Sequence, residues 1–365
     1  MGQFKKLGLK KDILDVLSNL RYKESFEVQD LVVPLVMKGE NVVFTSRTGS
    51  GKTLAYLLGF LNKINPKHAL QLLIMVPTRE LCIQVGKEVK KICDPLNINT
   101  GVLYGGRNLH GDQKTIQRKN QIMVCTPGRI IQQINMKHIK VGEVKYLVYD
   151  ESDQMFDDGF YKDCAYIKER VSADVQTVLS SATITDKVSN FVEFEIGDHV
   201  LLNVGNQIPE NIVQEKIYCE KLEKNDLILK IFTDKKPKRT VLFCNTKAKT
   251  EGISEFLTNH KINAKPFSGM LEQSERQSRL ALFKEGKIAV LVTTDVAARG
   301  LHIERIDNVF NYDVPTRTEF YVHRIGRTGR IDAKGYSLTF ICPEDVERFE
   351  KIEETFEIDV KEIEL

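Results

Sequence analysis

The feature that most limits what this chain can become is a rhythm that runs twice. Short apolar, β-prone runs at 41–45 (NVVFT), 72–78 (LLIMVPT), 122–127 (IMVCTP), 146–150 (YLVYD) and 176–183 (QTVLSSAT) are separated by helix-length amphipathic stretches. Strands of that kind alternating with helices predict an α/β architecture with a parallel sheet covered on both faces. A polar crossing at 203–211 (NVGNQIPEN) interrupts the rhythm, which resumes at 240–246 (TVLFCNT), 288–295 (IAVLVTTD), 308–313 (NVFNYD) and 336–341 (YSLTFI). The expectation is two domains, 1–203 and 213–365, joined by a linker at 204–212, and 365 residues are enough for two cores.

Composition narrows the class. With 28% charged and 42% hydrophobic residues, and no apolar run near the length of a membrane span, the chain reads as globular with no membrane partner. The amino-terminal stretch MGQFKKLGLKKD has no apolar core of a secretory signal, which makes an intracellular location the expectation. Seven scattered cysteines, none in a CxxC pair, read as reduced core residues and not as zinc ligands or disulfides. The net charge of +3 hides an acidic end: from Pro343 onward ten acids face three bases, so residues 1–342 carry about +10, a balance compatible with a polyanionic partner. Within that acidic end Val346, Phe349, Ile352 and Phe356 fall on one helical face, predicting a closing helix packed on the second sheet. The basic run DKKPKR (234–239) has the composition of a nuclear import patch, but a solvated loop before the first strand of the second domain is the better reading.

The stretch TSRTGSGKT (45–53) follows one strand and precedes a helix-like run. Glycines let a backbone curl with its N–H groups inward, and the helix start adds positive potential, so Ser46, Arg47, Thr48, Gly49, Ser50 and Gly51 form a candidate phosphate cradle. Lys52 is expected to reach the β and γ phosphates and Thr53 a Mg²⁺ ion. Ser46 stands where the first glycine of that pattern belongs. The run LVYDESD (147–153) then acquires a meaning: an acid at the tip of a neighbouring strand, Asp150, can serve the same ion, Glu151 can polarise an attacking water, and Asp153 should face another neighbour.

Eight segments in order, TSRTGSGKT, PTREL (77–81), GG (105–106), TPGR (126–129), DESD, SAT (181–183), TTDVAARG (293–300) and HRIGRTGR (323–330), resemble the DEAD-box RNA helicases over nearly the whole chain. The resemblance implies two tandem RecA-like domains, each a mostly parallel sheet flanked by helices, with ATP in the cleft and single-stranded RNA across both. It implies that Tyr22 stacks on adenine and Gln29 bonds its edge, in a segment RYKESFEVQ (21–29) with the isolated aromatic Phe4 upstream. It implies RNA-backbone contacts from Arg79, Gly106, Thr126 and Arg129 in the first domain and from Asn245, Arg276 and Thr294 in the second. Ser181 and Thr183 are implied to couple to Asp153, with His323 joining that network, and Arg327 and Arg330, three apart and so on one helical face, to act as arginine fingers on ATP.

The activity implied is an RNA-stimulated ATPase that binds RNA without regard to sequence and unwinds short duplexes, with ATP and Mg²⁺ as cofactors. An ATP-gated RNA clamp with little unwinding is the alternative. A monomer directed by protein cofactors, serving RNA or ribosome maturation in the nucleus or nucleolus, completes the expectation. Four departures from the family pattern qualify it: Ser152 and Ser46 replace alanines, Phe26 and Glu27 replace a hydroxyl residue and proline, and His302 occupies a position where the family has the aspartate that touches the ATP ribose.

Overall fold

The computed structural model describes residues 3–46, 49–106, 109–205, 208, 211–268, 271–298, 306–329 and 334–364. The chain divides into two compact units, Met1–Gly205 and Asn206–Leu365. Seven strands of the first unit are β1 (Val42–Ser46), β2 (Leu72–Met75), β3 (Thr100–Leu103), β4 (Ile122–Cys125), β5 (Tyr146–Tyr149), β6 (Gln176–Ser181) and β7 (Val200–Val204). They pair in the order β3-β4-β2-β5-β6-β1-β7, every described pair parallel. The second unit contributes β8 (Ile212–Tyr218), β9 (Thr240–Phe243), β10 (Ala264–Phe267), β11 (Val290–Thr293), β12 (Asn308–Asn311), β13 (Gly335–Ile341) and β14 (Lys361–Glu362). Their order is β10-β11-β9-β12-β13-β8-β14, again with parallel pairs.

Because strand side chains alternate between faces, each central strand feeds two cores. Val42, Phe44, Leu72 and Ile74 join one cluster with the helices Glu27–Lys38 and Lys52–Leu61, whereas Val43, Leu73 and Met75 join a second on the opposite face. In the second unit Leu242, Val290 and Val292 face one core, and Val241, Phe243 and Leu291 the other. The closing helix is present at Val346–Phe356, with Phe349 and Ile352 buried against Tyr321, Ile325 and Ile341, and Lys216 on β8 bonds both Glu353 carboxylate oxygens at 2.9 Å. All seven cysteines are buried and unbridged, and burial pushes the Cys93 thiol up to about 12, away from reactivity. Among the described residues no helix is long and apolar enough to cross a membrane.

Five strands fall outside the apolar runs read from the sequence. β3 (TGVL) and β10 (AKPF) are outer strands that carry Gly101 and Pro266, and β7 is half exposed. β14 is two charged residues, and β8, directly after the crossing, carries the three polar residues Gln214, Glu215 and Lys216 at its centre. Because β8 opens the second unit, the basic run DKKPKR does not precede the first strand there. It lies between the helix Lys224–Asp234 and β9, where Arg239 pairs with Asp307 at 3.0 and 2.9 Å and Lys235, Lys236 and Lys238 are exposed.

The helices Glu27–Lys38 and Lys52–Leu61 touch at Gly59, where an added Cβ would sit 2.6 Å from Val36 Cβ. Gly59→Val is expected to overpack that contact at a cost of about 1–3 kcal/mol. Calorimetry should show the unfolding transition of the first unit lowered and that of the second unmoved; an unchanged profile would show that these backbones have room to part.

Candidate active site and nucleic-acid interface

Parallel pairing sets the carboxyl ends of all strands of a sheet on one edge. In the first unit the segments after those ends fall into two adjacent groups. Gly105 and Gly106 follow β3, Thr126–Arg129 follow β4 and Pro77–Leu81 follow β2; Asp150–Asp153 follow β5, Ala182 and Thr183 follow β6, and the glycine-rich turn follows β1.

In that turn Gly49 and Gly51 take φ of 80° and 88°, the left-handed region that side chains resist, and the helix begins at Lys52. The Lys52 ammonium is buried and donates to the Ser46 carbonyl at 2.9 Å, while Ser46 Oγ donates to Ser50 Oγ at 2.6 Å. Arg47 and Thr48 lie outside the described residues. Behind the turn, Gln29 is 1% exposed: its Oε1 accepts the Phe26 N–H at 3.0 Å and its Nε2 donates to the Gly51 carbonyl at 3.2 Å. A Cβ on Gly51 would meet Gln29 Nε2 at 2.4 Å and the Phe26 ring at 3.0 Å. The segment therefore touches the phosphate turn despite Phe26 and Glu27, through one N–H of the Gln29 amide. Tyr22 is exposed, with Lys91 Nζ 5.2 Å above its ring, and Phe4 is buried in the core.

The acids are held by groups that do not announce themselves. Asp150 is buried, and accepts from Tyr56 Oη at 2.9 Å on one oxygen and from Ser180 Oγ on the other. Tyr56 lies in the apolar run TLAYLLGFL and reads from sequence as core; burial and then the Asp150 charge raise its pKa well above the usual tyrosine value. Glu151 takes φ of 52° at the start of the helix Ser152–Asp157. Asp153 faces β6 as expected, accepting from Thr183 N–H at 3.1 Å and Thr183 Oγ1 at 3.0 Å and donating its own N–H to Ser181 Oγ at 3.3 Å.

On the other half of the edge, the exposed Arg79 guanidinium lies against the Gly105–Gly106 turn, where a Cβ on Gly106 would sit 2.3 Å from Arg79 Nη1. Thr126 N–H bonds the Leu103 carbonyl at 3.1 Å, joining the β4 and β3 exits. Arg129 is buried beside Asp112.

In the second unit Asn245 and Asp313 follow the neighbouring strands β9 and β12, and Thr294 follows β11 on the other side of β9. Asn245, Asp313 and Asp295, the residue after Thr294, meet on Arg324, 1% exposed, a residue that sequence reading treats as one more base of HRIGRTGR. Its guanidinium bonds Asp295 at 2.6 and 2.7 Å, the Asp313 carbonyl at 2.7 Å and Asn245 Oδ1 at 2.9 Å. Arg276 lies 4.4 Å from the Phe267 ring centroid and donates to the Ala297 carbonyl at 3.3 Å. His323 is in the helix Thr318–Ile325, but Arg327 lies beyond its end and so is not on a helical face as expected. Gly326 ends the helix and Gly329 turns with φ of 63°, and Arg327 Nε donates to the His323 carbonyl at 3.2 Å. Arg330 and His302 lie outside the described residues.

Ser152 is fully buried, and its Oγ has no hydrogen-bond partner among the described residues. A buried orphan hydroxyl is costly, so Ser152→Ala is expected to stabilise the first unit by about 1 kcal/mol. Chemical denaturation would register it as a higher midpoint at constant slope; a lower midpoint would mean that the hydroxyl has a partner.

Residues 26–191 match the DEAD/DEAH box helicase family and residues 223–332 the helicase conserved C-terminal domain. The chain is 36% identical over 358 residues to the ATP-dependent RNA helicase CshA of Listeria monocytogenes, covering 97% of this chain and 69% of that protein. It is 34% identical over 359 residues to the DEAD-box ATP-dependent RNA helicase CshA of Geobacillus kaustophilus, covering 97% and 77%. Among solved structures, S. cerevisiae Dbp5 bound to RNA and ADP BeF3 superposes with a TM-score of 0.89 at 27% identity, covering 100% of this chain and 96% of that one. With both halves of its motif set carried on tandem RecA-like sheets, the chain belongs to the DEAD-box ATP-dependent RNA helicases.

Proposed function

We propose that this RNA-stimulated ATPase and helicase works the carboxyl edge of its first sheet in two halves, nucleotide over β5, β6 and β1 and RNA backbone over β3, β4 and β2. The strand order carries the reading, because it collects the phosphate turn, Asp150 and the Asp153–Thr183 pair on one side and Arg79, Gly106 and Thr126 on the other.

Lys52 exchanges its bond to the Ser46 carbonyl for the β and γ phosphates, and the start of the helix Lys52–Leu61 adds its N–H groups. Thr53 and Asp150 present only oxygen, which suits a hard cation such as Mg²⁺, and Asp150 is already oriented by Tyr56 and Ser180. Among the described residues no cluster of three His, Cys, Asp or Glu could hold a metal by itself. Such an ion would take its other ligands from phosphate and water and would neutralise phosphate charge. Glu151 polarises the attacking water, Tyr22 stacks on adenine, and Arg327 with Arg330 supplies positive charge to the γ-phosphate once ATP and RNA are both bound.

RNA is held by Arg79, Gly106 and Thr126 from the first unit and Asn245, Arg276 and Thr294 from the second, through phosphate and ribose, so affinity depends on salt and little on sequence. A clamp with little unwinding would use the same residues; duplex release measured beside ATP turnover separates the two. Action as a monomer guided by protein cofactors, in RNA or ribosome maturation and in the nucleus or nucleolus, is supported by the family resemblance alone, and crosslinking of bound RNA together with fluorescent tagging tests it.

Lys52→Ala is expected to lower ATP turnover by about 10²-fold or more, as for removal of a fixed transition-state donor; turnover within a few-fold of the parent would discard the phosphate role. Glu151→Gln should retain ATP and RNA binding and release RNA more slowly than the parent, read by dissociation of a fluorescent strand under ATP. Equal release rates count against Glu151 as the water-activating group.

A further inference from the structure

We propose that Asp112 is a positioning residue of the RNA site, and that Arg129, held by it, braces the site and does not contact phosphate. The proposal rests on the RNA-backbone reading of the β3, β4 and β2 exits. Arg129 Nε meets Asp112 Oδ2 at 2.5 Å, its Nη1 donates to Gln132 Oε1 at 2.7 Å, and its side chain is 7% exposed beside a carboxylate that is 0% exposed. Gln133 Nε2 donates to the same Asp112 oxygen at 3.0 Å, and Gln133 Oε1 meets His138 Nδ1 at 2.9 Å.

The partners come from two helices with a shared purpose. Asp112 sits in Leu109–Ile116, which follows the Gly105–Gly106 turn; Arg129, Gln132 and Gln133 sit in Pro127–Asn135, which opens at Thr126. The ion pair therefore fixes the spacing of the two backbone segments that would cradle RNA.

Two observations separate a brace from a phosphate contact. An arginine that grips phosphate needs free N–H groups and an uncancelled charge, and Arg79 has the exposure for this. Arg129 has Nε and Nη1 engaged and its charge matched by a buried carboxylate. The other Asp112 oxygen, Oδ1, is buried with no partner among the described residues. A half-satisfied buried carboxylate is a poor device for stability alone, which points to geometry as what it supplies.

The full chain, bound to a fluorescein-labelled oligouridylate with a non-hydrolysable ATP analogue, tests this by anisotropy across a series of KCl concentrations. Arg79→Gln, removing one phosphate contact, should reduce the slope of log K against log salt by about 0.7. Asp112→Asn and Arg129→Gln should each weaken RNA about tenfold or more at every salt concentration with the parental slope. The double variant Asp112→Leu/Arg129→Met replaces the pair by apolar groups, which buried ion pairs often tolerate. It should fold, by circular dichroism and thermal unfolding, and bind RNA more tightly than either single variant. A slope lowered by Arg129→Gln as much as by Arg79→Gln, or undiminished affinity in Asp112→Asn, overturns the proposal. So does a folded double variant no better than Arg129→Gln. Failure of the parent chain to bind the oligonucleotide would instead overturn the RNA reading itself.

Discussion

Parallel pairing is the constraint on which everything else here depends. In an antiparallel sheet successive loops alternate between edges; in these two sheets every strand delivers its following segment to the same edge. Residues as far apart in the chain as Tyr56 and Asp150, or Arg79 and Gly106, come together without any long excursion of the backbone. The same geometry explains why the functional side chains need so much support: strand ends are where backbone pairing stops, so Asp150, Asp153 and Asn245 are each fixed by side-chain bonds, to Tyr56 and Ser180, to Thr183, and to Arg324.

What could be read from the sequence follows the same physics. Strands buried on both faces have to be continuous apolar runs, and β1, β2, β4, β5, β6, β9, β11, β12 and β13 were visible for that reason. The outer strands need only one apolar face or none, so TGVL and AKPF give no such run. At the site, residues whose chemistry is their own, such as Lys52, Asp150 and Asp153, could be named from type and spacing. Tyr56, Asp112 and Arg324 could not, because each is defined by a carboxylate or guanidinium partner seventeen or more positions away that only the folded chain brings near. The error over Arg327 has a comparable origin: a spacing of three implies a shared face only while the helix lasts, and Gly326 ends it first.

The unmatched residues in the adenine segment teach a related lesson. Phe26 cannot cap a helix with a hydroxyl, yet the amide of Gln29 accepts its N–H and reaches on to the Gly51 carbonyl. The Gln29 N–H, which a hydroxyl at position 26 could accept, goes instead to the Phe26 carbonyl at 2.9 Å, while the Gln29 side chain keeps contact with the phosphate turn.

The outer strands have a consequence for the life of the molecule in a crowded solution. β10 presents Pro266 and an exposed Lys265, and β14 is a two-residue stub of exposed Lys361 and Glu362, so neither outer strand of the second sheet is a good template for a further strand from another chain. The first sheet is less guarded: β7 ends it with Leu201 about half exposed and no proline in the strand. If partly unfolded copies stick to one another during synthesis or heating, that outer strand is where intermolecular pairing would begin, and a lysine in place of Leu201 would be the smallest change that discourages it.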